Sequence, residues 1–321
     1  MTQPFVSIHG RRMGLTPYGL LVDGRLIGGS TPTGLGKGKT VYVNSTVAGS
    51  DGTSPDTALA TLDSAFDKVT ANVGDVIVVM PGHAETITAA AGVAHDVAGV
   101  SVIGIGYGES RPTFTFSTAT TATYAITADS AYVEGLNFVG NLSNIVACIT
   151  TTKKGTHIND CRFRNAGTNL DFLTCIKATS TTDNASDRLT VENCRWITAD
   201  SDDLEFIEIN ANIEGFVCRN NFVVNAGTAS PLILVATGKL LKGADIGWNR
   251  LVNAMTANEL FISNDGTTNT GIIHNNYVGH ADVTGTHDAG WDGGGFRLFN
   301  NLSTSVDNLS GFVVPAIDVN L

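Results

Sequence analysis

A six-residue pattern recurs through most of the chain at intervals of 25 to 33 residues, with a mean of about 28. Each copy has an apolar residue, a turn-forming residue two positions later and, in most copies, a large apolar residue five positions after the first. The copies are VIGIGY from Val102, VEGLNF from Val133, INDCRF from Ile158, VENCRW from Val191, VCRNNF from Val217, IGWNRL from Ile246, IHNNYV from Ile273 and a degraded LFNNLS from Leu298. A period of this length with variable spacing is typical of a solenoid whose coils carry surface loops.

The hexamer itself predicts two short strands joined by a bend. In VENCRW, Val191 and Trp196 should face the core, Arg195 should face solvent, and Asn193 should make the bend. A second apolar cluster follows most copies by 13 to 15 residues, so each coil holds at least two strands. With 36 glycines and only 15% charged residues, the composition favours strands and tight turns. The sequence therefore predicts an all-β fold, a right-handed parallel β-helix.

Stacked bends bring the corner residues of successive coils about 4.8 Å apart, so polar side chains there can hydrogen-bond along the stack. The alignment places Arg219 and Trp248 at the same position, which predicts an interruption in the middle coils. The predicted corner ladder consists of Asp160, Asn193, Asn275 and Asn300. The five cysteines are an odd number and show no CxxC spacing, so they are interpreted as buried free thiols.

Residues 42–87, YVNSTVAGSDGTSPDTALATLDSAFDKVTANVGDVIVVMPGHAETI, combine a strand, a polar loop, an amphipathic segment and a Gly-Asp-apolar-Pro-Gly strand. This segment resembles the opening of the pectate-lyase-like parallel β-helix superfamily. In that superfamily a short helix caps the first coil. Here Leu62, Ala65, Phe66 and Val69 form one helical stripe, with Thr61 as the N-cap. The expected division is an N-terminal arm at 1–40, a cap and first coil at 41–100, and further coils with a C-terminal closure at 101–321.

The first 40 residues are basic, with five cationic side chains against Asp23 alone, whereas the whole chain carries −11. They are expected to form an extended, glycine-rich docking arm. Its docking residues are Arg11, Arg12, Arg25, Lys37 and Lys39. The arm and the cap together also resemble structural proteins of tailed bacteriophages.

Two partner classes are disfavoured by composition. A net charge of −11 argues against general binding to nucleic-acid phosphates. The chain shows no apolar run of signal-peptide or membrane-spanning length, so neither secretion nor membrane insertion is expected. The protein is therefore expected to be made in a host cytoplasm.

One acidic segment has the residue types of a catalytic or ion-binding site. Asp202, Asp203 and Glu205 are the catalytic candidates, because paired carboxylates serve glycosidases and Ca²⁺-dependent lyases. The superfamily's hydrolase motifs are not completed, since only the Asp202-Asp203 pair matches them. The metal-ligating candidates are Asp200, Asp202, His280 and His287, but they lack strict ligand spacing. An ordinary acidic turn is the competing interpretation, and neither a resident metal nor a cofactor is expected.

Three functions remain open. The first is a virion structural protein without enzymatic activity, a capsid decoration or head-fibre subunit that docks through its arm on the major capsid protein or another virion protein. Such a subunit is expected to form a homotrimer located in the virion. The second is a tailspike-like polysaccharide lyase or glycoside hydrolase. The third is a noncatalytic adhesin for a host surface glycan.

Overall fold

The computed structural model describes residues 38–47, 49, 51–180, 182, 185–198, 204–226, 231–253, 262–264, 269–280, 295–303 and 311–312, together with the backbone of four strands between residues 6 and 27. For 253, 262–264, 280, 303 and 311–312 the backbone alone is described. Parallel strands stack into three sheets and form a β-solenoid, so the prediction of an all-β parallel β-helix is confirmed.

The three sheets follow the solenoid, and a typical coil contributes one strand to each. The first sheet has ten strands: Thr40–Val43, Val76–Val79, Ser101–Gly104, Tyr132–Glu134, His157–Asn159, Thr190–Glu192, Val217–Arg219, Ala244–Gly247, Gly271–His274 and Arg297–Phe299. The second sheet also has ten: Ala84–Ile87, Thr113–Phe116, Asn137–Gly140, Arg162–Asn165, Arg195–Ile197, Phe222–Asn225, Arg250–Asn253, Tyr277–His280, Leu302–Ser303 and an antiparallel Gly311–Phe312. The third sheet has seven: Val93–His95, Tyr124–Ile126, Ile149–Thr151, Thr174–Thr179, Glu205–Asn210, Ile233–Val235 and Ile262–Asn264. A separate pair joins Ile213–Glu214 to Leu241–Lys242.

Parallel pairing places equivalent residues of successive coils in straight rows, which fills the core. Val191 pairs with Ile158 on one side and with Cys218 on the other. The rings of Phe138 and Phe163 stack with centroids 5.5 Å apart, and Trp196 continues their row. These rows are almost entirely buried, so removal of apolar surface from water stabilises every coil.

The hexamer VENCRW folds as predicted. Val191 and Trp196 are fully buried, and Arg195 is exposed. Asn193 has φ 56° and turns the chain between strands of the first and second sheets. A left-handed residue is tolerated there because Asn adopts positive φ more readily than other non-glycine residues.

One short α-helix, Leu62–Phe66, lies between the first two strands of the solenoid. Its N-cap is Thr61, whose hydroxyl accepts a hydrogen bond from the Ser64 N–H. Leu62 and Phe66 are buried, and a Glu85 carboxylate oxygen accepts the Leu62 N–H at 2.8 Å. Two 3₁₀ turns, Pro55–Thr57 and Gly108–Ser110, complete the helical structure that is described. None of the described helices has the length and apolarity that crossing a membrane requires.

The prediction of an extended N-terminal arm is not confirmed. The backbone of Val6–Ile8, Arg11–Thr16, Gly19–Val22 and Arg25–Ile27 forms a four-stranded antiparallel sheet. Only Asp23 and Gly24 separate the last two strands, and this dipeptide is a strong hairpin signal. Basic composition predicts docking but not conformation, whereas turn residues between short apolar runs are typical of a meander.

Candidate functional site

The acidic segment is only partly described. Asp200, Asp202 and Asp203 lie outside the described residues. Glu205 is 4% exposed, and its Oε2 accepts a hydrogen bond from the Thr174 hydroxyl at 2.9 Å. Glu208 pairs with the Lys177 ammonium at 2.7 Å. Within the described part of this segment, both carboxylates therefore bind side chains of the neighbouring coil.

The side chains of the other two metal-ligating candidates are not among those that the structure describes. His287 lies outside the described residues, and His280 is described only by its backbone at the end of Tyr277–His280. Among the side chains that the structure describes, no group of three His, Cys, Asp or Glu residues could hold a metal ion.

The basic docking residues fall into two regions. Arg11, Arg12 and Arg25 lie on strands of the N-terminal antiparallel sheet, and Lys37 lies outside the described residues. Lys39 belongs to the start of the solenoid, because its N–H donates to Asp75 Oδ1 at 2.7 Å. Its side chain is exposed.

The predicted corner residues all adopt left-handed backbone conformations, with φ of 47° at Asp160, 56° at Asn193 and 52° at both Asn275 and Asn300. Their side chains do not form one ladder. Asn300 donates to Asn275, whereas Asn193 donates to Asn159 at 2.7 Å and Asp160 accepts from Arg111.

The predicted interruption at Arg219 is wrong by one residue. Val191 pairs with Cys218 and Glu192 with Arg219, so the corner in this coil is Asn220, with φ 55°. Trp248 does occupy a corner, with φ 62°. The sequence Arg219-Asn220-Asn221 allows two alignments, and the backbone register selects the second.

A continuous asparagine ladder lies one position after the corners, inside the solenoid. It consists of Asn221, Asn249, Asn276 and Asn301, all at most 1% exposed. The side-chain oxygen of Asn249 accepts both the backbone N–H and the side-chain amide of Asn221 at 3.0 Å. The side-chain oxygen of Asn276 likewise accepts the backbone N–H and the side-chain amide of Asn249. The side-chain oxygen of Asn301 accepts the same two groups of Asn276.

Each rung of this ladder also bonds to the backbone of the preceding coil. The Asn249 amide donates to the Cys218 carbonyl at 2.9 Å, and the Asn276 amide donates to the Ile246 carbonyl at 3.0 Å. Burying a side-chain amide lowers the stability of a protein unless the amide is hydrogen-bonded. Here the amides are hydrogen-bonded to asparagines of the neighbouring coils and to backbone carbonyls. The ladder therefore has a structural role.

A polar cluster on the outer face of the first sheet contains Arg219, Asp245 and His274. Asp245 Oδ1 accepts from Arg219 Nε and lies 3.0 Å from His274 Nε2, and its Oδ2 accepts from Arg219 Nη2. The His274 ring stacks on Phe299 with centroids 5.1 Å apart. Partial burial acts to raise the Asp245 pKa, but hydrogen bonds from Arg219 and His274 outweigh it and lower that pKa. This carboxylate is held ionised with both oxygens occupied, which is unsuited to a general acid.

An open cleft of about 190 Å³ lies between the 3₁₀ turn Gly108–Ser110 and the outer face of the second sheet. Arg162, Arg164 and Arg195 line it, together with Ile197 and the single carboxylate Glu109. The cleft thus opens onto a cationic surface of an acidic chain.

The arginines continue beyond the cleft along one outward row. Parallel register aligns Arg162, Arg195, Phe222, Arg250 and Tyr277 on successive strands. The Phe222 ring lies between two guanidinium groups. Its centroid is 5.3 Å from Arg195 Cζ and 5.7 Å from Arg250 Cζ. The Arg162 guanidinium lies 5.8 Å from the centroid of Tyr107. We call Arg162, Arg195 and Arg250 the arginine row.

The sequence signal for this row is a constant interval from the corner residues. Arg162, Arg195 and Arg250 each follow a corner residue by two positions, and so do Phe222 and Tyr277. Only the register across coils shows that these positions form one surface.

Comparison of the chain with protein-family models, with curated proteins and with solved structures gives no match. The fold and the arrangement of side chains are therefore the basis for the functional proposals.

Proposed function

We propose that this chain is a structural protein of a tailed-bacteriophage virion, a rod-like capsid decoration or head-fibre subunit attached through its N-terminal segment. The observation that carries the proposal is the uninterrupted pairing of ten strands in the first sheet, with buried rows beneath them. Such a solenoid is a stiff spacer, because each coil is fixed to both neighbours by backbone hydrogen bonds.

The N-terminal segment suits attachment. Its short antiparallel sheet carries Arg11, Arg12 and Arg25, and its strands pair only with one another among the described strands. A small basic unit of this kind can dock on an acidic capsid surface while the solenoid projects outward.

The first experiment is mass spectrometry of purified particles with quantification of this chain. High copy number supports decoration of the head, and a few copies per particle support a tail component. Absence from particles that contain all other structural proteins would overturn the virion role.

The attachment mechanism is tested separately with purified protein added to particles that lack it. Deletion of residues 1–37 preserves the Lys39–Asp75 hydrogen bond and should abolish binding. A full-length variant with Arg11, Arg12, Arg25 and Lys37 all changed to Gln should bind much more weakly, while Lys239→Gln on the solenoid should bind normally. Undiminished binding of the deletion variant would contradict attachment through this segment.

Light scattering of the same samples tests the proposed homotrimer, and a monomeric mass on and off the particle would contradict it.

The enzymatic alternative is distinguished by a depolymerase assay on host capsule. A lyase or hydrolase releases oligosaccharides, and the combined Asp202→Ala and Asp203→Ala substitutions should remove that release. Under our proposal, wild type and variant are equally inactive.

A further inference from the structure

The arginine row concentrates positive charge that the described part of the chain does not neutralise. The chain has 30 acidic and 19 basic residues, yet no ion pair joins Arg162, Arg195 or Arg250 to a described carboxylate. Acidic groups on the other two sheets are engaged locally, Asp245 by Arg219 and Glu208 by Lys177. Other described cations, such as Arg297, also have no ion pair with a described carboxylate, but these three arginines lie on successive or alternate strands of one sheet and therefore form a continuous cationic row.

The aromatic neighbours orient these guanidinium groups. A guanidinium held over an aromatic ring can keep its N–H donors available to a ligand. Phe222 holds two such groups, Arg195 and Arg250, on either side. Each can then pair with a carboxylate through two parallel hydrogen bonds.

An apolar strip accompanies the row. Ile197, Val224 and Val252 are aligned on the same three strands, two residues after Arg195, Phe222 and Arg250. Ile197 is 40% exposed, and the two valines are half-buried. A ligand on this face therefore meets cations along one edge and a flat apolar surface beside them.

We propose that the arginine row and the apolar strip bind a linear glycan that carries carboxylates. Its sugar rings present apolar C–H faces to the strip, and its carboxylates pair with the arginines. Neighbouring strands are about 4.8 Å apart, roughly the length of one sugar unit, so the repeat of the glycan can follow the repeat of the coils. Duplex DNA carries a charge about every 1.7 Å, which is far denser than this row. The proposal is independent of attachment to a virion.

The test is binding of the full-length protein to hyaluronan oligosaccharides, measured by calorimetry at low salt. We expect saturable binding that weakens as salt is raised, and no binding of the carboxyl-reduced neutral oligosaccharide. The double variant Arg195→Gln with Arg250→Gln should bind at least about tenfold more weakly. The matched control Arg297→Gln, an exposed arginine on the first sheet, should bind like wild type. Thermal unfolding of each variant verifies that the exposed substitutions leave the fold intact.

Four outcomes would overturn the proposal. Equal binding of the neutral oligosaccharide would exclude carboxylate recognition, and absence of all binding would exclude a glycan site. Binding of polyglutamate or single-stranded DNA as tight as that of hyaluronan would show a general polyanion surface. If the double variant changes the oligomeric mass instead of glycan affinity, the face is an interface between copies. These results concern purified protein, so they are separable from the particle experiments.

Discussion

His95 is a titratable residue fully enclosed by the core. Its ring packs against Phe66 of the short helix, with centroids 4.6 Å apart, and its Nδ1 lies 3.3 Å from the Tyr124 hydroxyl. Burial lowers the pKa of His95 to about 3, since the charged imidazolium has no water around it. The folded protein therefore keeps this histidine neutral through the mildly acidic range.

This burial predicts acid sensitivity. An unfolded histidine binds a proton below about pH 6.5, whereas folded His95 does so only near pH 3. Stability should fall as pH falls through that window, by roughly 1.4 kcal/mol per pH unit from this group. In urea unfolding at several pH values, His95→Leu should flatten the dependence between pH 6 and pH 4. Phe66→Leu, which alters the same contact without a titrating group, should lower stability equally at each pH. An unchanged pH dependence in His95→Leu would refute this assignment.

Asn249 shows what one rung contributes to the buried ladder. Its side-chain oxygen accepts two hydrogen bonds from Asn221, and its amide donates to Cys218 and Asn276. Removing that side chain leaves several buried polar groups without partners, and each costs about 1–3 kcal/mol.

We therefore expect Asn249→Ala to lower the free energy of unfolding by at least about 3 kcal/mol, measured by chemical denaturation. Asn300→Gly, at an exposed corner with φ 52°, is the control and should cost less than about 1 kcal/mol. Similar losses for both variants would show that burial of the ladder does not matter.

At the scale of the element, the corner between the first and second sheets imposes one backbone conformation on whatever residue occupies it. Asn220 and Asn275 suit positive φ, but Trp248 has φ 62° with a bulky side chain that is 58% exposed. Such a residue stores backbone strain of about 1–2 kcal/mol.

Trp248→Asn should accordingly raise the free energy of unfolding by about 1 kcal/mol, less whatever its edge contact with His274 contributes. The reverse change at the equivalent corner, Asn220→Trp, should lower it by a similar amount. Both are measurable by thermal unfolding. Destabilisation by Trp248→Asn would mean that the Trp248–His274 contact exceeds the strain.

The hexamer pattern predicted local structure well where one alignment was available. In VENCRW, alternation alone placed Val191 and Trp196 inside and Arg195 outside, and the structure agrees. In VCRNNF either Val217 or Cys218 can be the first inward residue, and the prediction chose Val217. It therefore placed Arg219 at the corner and missed the buried ladder that begins at Asn221. Hydrogen bonds between coils decide the register, and a single hexamer does not contain that information.

The arginine row was less accessible to sequence reasoning. Arg162 and Arg250 are 88 positions apart, yet they lie on one face because three intervening pairings keep register. Their relation to Phe222 depends on side-chain conformation as well as on strand order. By contrast, the acidic segment around Asp202 was conspicuous because its residues are adjacent in the chain.

At the scale of the whole molecule, the cysteines report on the integrity of the core. All five are free and buried, and burial raises the pKa of the Cys218 thiol to about 12. Neutral, enclosed thiols are poor nucleophiles. They should react only when the coils around them open.

The native protein is thus expected to give no reaction with an aromatic disulfide reagent at pH 8, and five equivalents in denaturant. Labelling at intermediate denaturant, followed by mass spectrometry, tests cooperativity. Simultaneous labelling of Cys148 and Cys218 indicates one unfolding unit, whereas separate labelling indicates that coils open in groups. Rapid labelling of any cysteine in the native protein would contradict its burial.

The asparagine ladder also restricts how a chain of this kind can change in length over evolution. Each rung bonds to an identical residue one coil away, so an insertion of one residue between a corner and its rung leaves two neighbours unpaired. Duplication or loss of an entire coil preserves every such bond. Insertions that are shorter or longer than a whole coil can be accommodated in the loops. Descendants of this protein should therefore differ in whole coils and in loop length, while the interval between corner and rung stays at one residue.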